Sequence, residues 1–294
     1  HDASINIIRR ILQASGAEVI HFGHNRSGEE VVNAAIQENV QAIAMSSYQG
    51  GHVEYFKYMY DLLQEKGAPH IRIYAGGGGV IIPKEIKELH EYGIAWIFSP
   101  EDGRKMGLQG MINRMMEECD FETANDCTIA DLEKVNTENP EVLAKLITYA
   151  EETHDKDDET AKAFMEKAKE LSKNTPVFGI TGTGGAGKSS LTDELIRRFL
   201  NELPDKKVAI LSIDPTKQKT GGALLGDRIR MNSIFNKRVF MRSLATRGSH
   251  SELSGAMQHV LDIVKVAGYD LIVIETSGIG QGDADIADIS DASM

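Results

Sequence analysis

Between Gly182 and Ser189 the chain reads GTGGAGKS, followed by a second serine, Ser190. This G-x-x-x-x-G-K-S spacing suits one kind of chemistry. Gly182, Gly184, Gly185 and Gly187, with Ala186 among them, let successive backbone N–H groups turn toward the phosphates of a nucleotide. Lys188 adds a mobile positive charge near the β- and γ-phosphates, and the Ser189 hydroxyl can ligate Mg2+. Magnesium takes octahedral oxygen coordination, so acidic partners are expected beyond that hydroxyl. Asp214 in ILSIDPT and Glu275 in LIVIETSG each end an apolar run beside the loop, and Asp227 follows the glycine-rich GGALLG. The stretch ETSGIGQGD has the composition of a switch segment, in which a glycine N–H senses the γ-phosphate. Gln281 within it is expected to position water, which makes Lys188 and Gln281 the catalytic candidates. No N-K-x-D guanine motif occurs in the 294 residues, so the motifs by themselves leave ATP and GTP both open.

A second constellation lies in the first third of the chain. His1 precedes a helical pattern, Ser46-Ser47-Tyr48-Gln49-Gly50-Gly51-His52 follows the apolar AIAM, and Gly76 to Gly79 follow IRIYA. In a doubly wound parallel sheet such positions are the carboxyl ends of strands, where ligands bind. Small residues at two neighbouring strand ends leave a groove into which an extended ligand arm can thread. His21, His24 and His52 read as surface histidines or as groups that support a site from behind, His52 being the most interesting because of its loop.

The elements that position these residues fall into three segments. Residues 1–119 alternate strand-length apolar runs (AEVIHFG, QAIAMSS, HIRIYAG, IAWIF) with amphipathic helices (GEEVVNAAIQEN, HVEYFKYMYDLLQEKG, PKEIKELHEYG, RKMGLQGMINRMMEE). The chain opens on a helix, with Ile5, Ile8 and Leu12 on one face, and the first strand of the sheet is expected upstream of it. Residues 120–175 lose the strands and read as a helical connector. There NPEVLAKLITYAEE offers Asn139 as N-cap and Pro140 at the first helical position, and ETAKAFMEKAKELSKN supplies a second apolar face. Residues 176–294 return to α/β alternation with VFGITG, VAILSID, VFMRS and LIVIETS, and the rest of that domain is expected downstream. The fold class is therefore α/β, two parallel-sheet domains joined by helices.

A formal net charge of −12 argues against broad electrostatic binding of nucleic acid or of an anionic membrane. No apolar run approaches the roughly 20 residues that cross a bilayer, and no signal peptide opens the chain, which points to the cytoplasm. Cys119 and Cys127 form no disulfide framework and lack the spacing of a zinc or redox motif.

Taken in order, GTGGAGKSSL, SIDPTKQKTGGALLGDRIRM, VFMRSLATRG and VIETSGIGQ resemble the metallochaperone GTPases, in particular the MeaB-like chaperones of acyl-CoA mutases. That resemblance implies GTP, with Mg2+ near Asp214, Asp227 and Glu275. HDAS, SSYQGGH and AGGGGVIIP resemble the cobalamin-binding domains of the mutases and of methionine synthase, whose motifs are D-x-H-x-x-G, S-x-L and G-G. By position this implies His1 as the lower cobalt ligand, a role that suits imidazole, with Ser46 and Tyr48 in the S-x-L element and Gly76 and Gly77 as the G-G pair. The motif's aspartate would stand two residues before His1, its glycine is Ser4 and its leucine is Tyr48. A flavodoxin-like cobalamin domain, a helical connector and a MeaB-like GTPase in this order resemble the N-terminal part of the fused isobutyryl-CoA mutase family. The resemblance implies adenosylcobalamin, GTP and Mg2+ as cofactors and a C-terminal mutase domain acting on an acyl-CoA. It also implies a GTPase that governs cofactor loading and a homodimer. Two other readings of the residues stay open: a separate cobalamin carrier, and a P-loop ATPase or kinase whose first domain binds something else.

Overall fold

In the computed structural model, residues 2–217, 219–247, 255–276 and 282–294 are described. The first sheet is parallel, with β2 (Ala42–Ser46), β3 (Arg72–Gly76) and β4 (Trp96–Phe98) side by side in that order. Helices α2 (Gly28–Gln37), α3 (His52–Glu65), α4 (Pro83–Tyr92) and α5 (Pro100–Cys119) connect and cover these strands. Their starts are written locally. Ser27 accepts from the Glu30 N–H while Glu30 reaches back to the Ser27 N–H, and Ser99 and Asp102 form the same reciprocal cap ahead of Pro100. Val32, Phe56, Met59, Leu63, Ile73 and Leu89 form the centre of the core between helices and sheet.

Two expectations for this segment are corrected. AEVIHFG does contain a strand, β1 (Glu18–Ile20), yet it stands outside the first sheet. It pairs in parallel with β7 (Ala223–Leu225), Glu18 opposite Ala223 and Ile20 opposite Leu225. Among the described residues no strand lies between β1 and β2, so the N–H and C=O groups of β1 find their ladder elsewhere. The approach is close, since a Cβ on Gly222 would stand 2.1 Å from the Gln13 carbonyl oxygen at the end of α1 (Asp2–Ala14). The helix read as beginning at Arg104 instead begins at Pro100 and is interrupted at Gly107, whose φ of 66° and ψ of 173° are not helical.

The second sheet is also parallel, in the order β10 (Ala292–Ser293), β5 (Val177–Ile180), β9 (Leu271–Thr276), β6 (Val208–Asp214), β8 (Val239–Ala245). All four predicted apolar runs are strands here. They are near-continuous hydrophobic runs because helices cover both faces of a parallel sheet, α9 (Lys188–Glu202) and α10 (Met257–Ala267) among them. Helices α6 (Ile129–Lys134), α7 (Pro140–Thr153) and α8 (Glu159–Leu171) precede this sheet and pack into it. Leu143, Leu146 and Ile147 of α7 and Phe164 of α8 share one core with Leu211 of β6, Val260 of α10 and Ile274 of β9.

Buried polar groups join the two halves. Arg228 donates to Glu38 at the end of α2, and each of the two side chains is 2% exposed. Arg247, at the surface, reaches Glu18 across the same boundary at 2.6 Å, while buried Arg242 ties β8 to α7 by donating to Glu151 at 2.8 Å and to Thr148 at 2.9 Å. Removing one member of a buried pair leaves an uncompensated charge. Arg228→Ala and Glu38→Ala are each expected to lower the unfolding free energy by about 3–5 kcal/mol, read from urea denaturation. A loss below about 1 kcal/mol, the size of an exposed pair, would contradict this.

Candidate functional site

The strand β5 ends at Ile180 and α9 begins at Lys188, so residues 181–187 must turn sharply between them. They do so through left-handed backbone at Gly182 (φ 136°), Gly185 (φ 82°) and Gly187 (φ 87°), which side-chain-bearing residues rarely adopt. A Cβ placed on Gly184, Gly185 or Gly187 would meet nothing within 4 Å. The loop therefore wraps open space at the N-terminus of a 15-residue helix, where N–H groups and helix dipole favour an anion. Exposed Ala186 closes the loop's turn by donating its N–H to the Thr183 carbonyl at 3.1 Å. The Lys188 ammonium donates to the carbonyls of Gly182 at 2.7 Å and Thr183 at 3.1 Å, keeping the positive charge at the loop. Ser190 stands exposed in the first turn of α9.

Beneath the loop the three predicted carboxylates come together. The Ser189 hydroxyl lies 2.7 Å from Glu275 Oε1 and 3.3 Å from Asp227 Oδ1. Thr192, one helical turn after Lys188, donates to Glu275 Oε2 at 2.7 Å, and Ser212 of β6 donates to Asp227. Sequence reasoning missed both hydroxyls; a threonine four residues after the loop's lysine was the available signal for Thr192. Asp214 ends β6 two residues beyond Ser212, the residue that stands opposite Glu275 of β9. Burial, and then the negative charges of Asp227 and Glu275, push the Asp214 carboxyl up to about 7, against the Gly226 N–H, which pulls it down. Burial likewise raises Glu275, opposed by its two hydroxyl donors and by Lys188. Clustered negative charge in a dehydrated place beside a phosphate cradle is what a divalent cation neutralises. Among the described residues no three His, Cys, Asp or Glu side chains form an all-protein metal cage. The donor set fits Mg2+, which keeps waters and binds through one or two carboxylates plus phosphate oxygens. Gln281 lies outside the described residues.

In the first domain, parallel register sets Ser46 of β2 opposite Gly76 of β3, and the next residue, Ser47, donates its N–H to the Gly76 carbonyl at 2.9 Å. A Cβ on Gly77 would lie 2.4 Å from the Ser47 carbonyl oxygen and 2.9 Å from Ile81, so only hydrogen fits there. The Tyr48 ring, 42% exposed, covers Gly78, where a Cβ would lie 2.8 Å from the ring. Ser46, Tyr48, Gly76 and Gly77 thus line the carboxyl ends of two adjacent strands, while His1 lies outside the described residues. His52, at the start of α3, is buried rather than a surface group. Its Nδ1 lies 3.1 Å from the Gln49 carbonyl and its Nε2 3.0 Å from Glu85 Oε2. Burial alone would lower its pKa; the Gln49 carbonyl and Glu85 outweigh that and hold it above the ordinary 6.5.

With two acceptors facing it, the His52 ring is favoured as imidazolium, and a raised folded pKa gives stability that is complete below the unfolded value and lost as pH rises through the folded one. Urea midpoints of the chain and of His52→Gln are expected to differ most below the unfolded value of 6.5 and to draw together as pH rises above it. A gap independent of pH would overturn this.

Residues 143–294 match the family model described as methylmalonyl Co-A mutase-associated GTPase MeaB, and residues 1–105 match that of the B12 binding domain. Over its whole length the chain is 69% identical to a fused isobutyryl-CoA mutase of Geobacillus kaustophilus. It is 58% identical to one of Cupriavidus metallidurans and 52% identical to one of Nocardia farcinica, again over its whole length. In each case it spans 27% of the relative, about a quarter of that protein. The chain carries a B12 binding domain ahead of a P-loop GTPase and belongs to the family of methylmalonyl-CoA mutase-associated GTPases of the MeaB type.

Proposed function

We propose that this chain is the cobalamin-binding and GTPase-chaperone portion of an adenosylcobalamin-dependent mutase that interconverts isobutyryl-CoA and n-butyryl-CoA. In this reading GTP binding and hydrolysis control loading of the cofactor. The observation that carries it is 69% identity across both domains to a fused isobutyryl-CoA mutase, together with a phosphate cradle set directly over Ser189, Asp227 and Glu275. The acyl-CoA chemistry belongs to a mutase domain elsewhere in the polypeptide, since the chain spans 27% of that relative. We place the protein in the cytoplasm as a homodimer; among the described residues no helix is long and apolar enough to cross a membrane.

The nucleotide half works through positioning and electrostatics, as phosphoryl transfer generally does. Backbone N–H groups of residues 182–187 and the N-terminus of α9 bind the phosphates. The Lys188 ammonium leaves the loop carbonyls to neutralise the β- and γ-phosphates. Ser189, Asp227 and Glu275 are the residues that would hold Mg2+, with Asp214 beside them. When bound, Mg2+ supplies the charge that offsets the negative charge on the transferred phosphoryl group. Gln281 orients the attacking water. In the first domain Gly76 and Gly77 leave the carboxyl end of β3 without side chains, and the nucleotide tail of cobalamin would run past it, between strand and helix. Ser46 and Tyr48 would border it, and His1 is the residue whose imidazole would hold the cobalt.

In the full-length protein GTP is expected to displace a fluorescent GDP analogue well below the concentration at which ATP does. Lys188→Ala is expected to lower GTP hydrolysis by about 10²–10³-fold, as loss of a preorganised donor does. Added cobalamin should shift its visible spectrum to the base-off, histidine-ligated form, and His1→Ala should abolish that shift. Equal competition by ATP would overturn the GTPase half of the reading, and an unchanged spectrum the cobalamin half.

A further inference from the structure

The end of α2 in the first domain is built into the nucleotide site of the second. Asp227 opens a short 3-10 turn, Asp227–Arg230, and its carboxylate accepts from Ser189 and Ser212. The adjoining residue, Arg228, is 2% exposed and has its acceptors elsewhere. Its guanidinium donates to the Glu38 carboxylate, to the Gln37 side-chain oxygen at 3.0 Å and to the Met241 carbonyl. Glu38 in turn accepts from the Ser243 N–H at 3.0 Å and the Ser243 hydroxyl at 2.9 Å. So two adjacent residues, Asp227 and Arg228, are fixed from two domains, one by the phosphate loop and one by α2.

The chemistry of Glu38 shows that this arrangement is not there for the helix. Glu38 is the C-cap of α2, and a carboxylate at a helix C-terminus opposes the helix dipole. Burying the Arg228–Glu38 pair also gains little over an apolar pair of the same size, because both charges lose their water. What a buried ion pair does supply is one fixed geometry, and here that geometry belongs to the residue next to a magnesium candidate.

We infer that Arg228 is a positioning residue of the nucleotide site, anchored by Glu38 and Gln37 of the cobalamin-binding domain, and that the first domain thereby sets where Asp227 stands against Ser189 and Glu275. The inference rests on the proposed function and deepens it. Groups one shell out from a metal ligand typically change metal affinity by 10- to 100-fold when altered. Because binding coupling is reciprocal, any ligand of the first domain that shifts the end of α2 changes nucleotide affinity, and the nucleotide changes that ligand's affinity by the same factor.

The test uses the full-length protein and a fluorescent GTP analogue, titrated with Mg2+ and, separately, in EDTA. The double variant Arg228→Met/Glu38→Met replaces the pair with apolar side chains, the kind of exchange that buried pairs tolerate. It is expected to raise the half-saturating Mg2+ concentration by about 10-fold or more, with nucleotide affinity in EDTA within about twofold of the parent, since the phosphate loop is untouched. An unchanged Mg2+ requirement in a folded double variant overturns the inference, as does an equal loss with and without Mg2+. Glu38→Gln, which keeps an acceptor oxygen and removes the charge, is the second variant and is read the same way if the first does not fold. If the parent binds no guanine nucleotide at all, the proposed function fails first, and the two failures are distinguished.

Discussion

Three carboxylates held away from water beside a phosphate loop are the constraint around which the second domain is arranged. Asp214, Asp227 and Glu275 crowd that space as charges, and burial together with the charge of Asp227 pushes the Asp214 carboxyl up to about 7. The structure answers with three hydroxyl donors from two elements: Ser189 and Thr192 on α9, and Ser212 on β6. Those donors fix the spacing of helix and strands, because each hydrogen bond tolerates only a few tenths of an ångström. A surplus of negative charge remains even so. The site is thus built for a cation and a polyphosphate together.

Much of this was legible in the residues. The glycine-rich loop and its lysine have a fixed spacing, and strands buried on both faces announce themselves as unbroken apolar runs such as VAILSID and LIVIETS. What was not legible involves partners distant in sequence. A strand pattern at AEVIHFG says that Glu18–Ile20 is extended, but nothing in it says that the ladder partner is Ala223–Leu225. Strands of two or three residues, such as β7 and β10, carry no usable period. Asn139 does sit at the N-cap of α7, yet its side chain accepts from the Asn136 N–H instead of capping the helix. Gly107 lies inside a pattern that reads as helix, and only its backbone shows that the helix breaks there.

In the first domain the motif and its surroundings separate in the same way. The glycines were visible, but the reason for Gly77 is a carbonyl oxygen 2.4 Å from where its Cβ would be, thirty residues earlier in the chain. His52 was visible as a histidine in an interesting loop, while Glu85, its partner from another helix, gave no sign of the pairing. Side chains that position a site carry no motif, since their role is defined by what they touch.

The pairing of β1 with β7 also bears on the order in which the molecule can be made. Glu18 meets Ala223 only after roughly two hundred intervening residues have been synthesised, and contacts so far apart in sequence form slowly. On the ribosome the first sheet can close early from its own neighbouring βα units, whereas the β1–β7 ladder can form only once Ala223–Leu225 has emerged. The two domains then join through a ladder whose strands lie on either side of the helical connector, a reason for carrying both on a single polypeptide that is independent of how they work once folded.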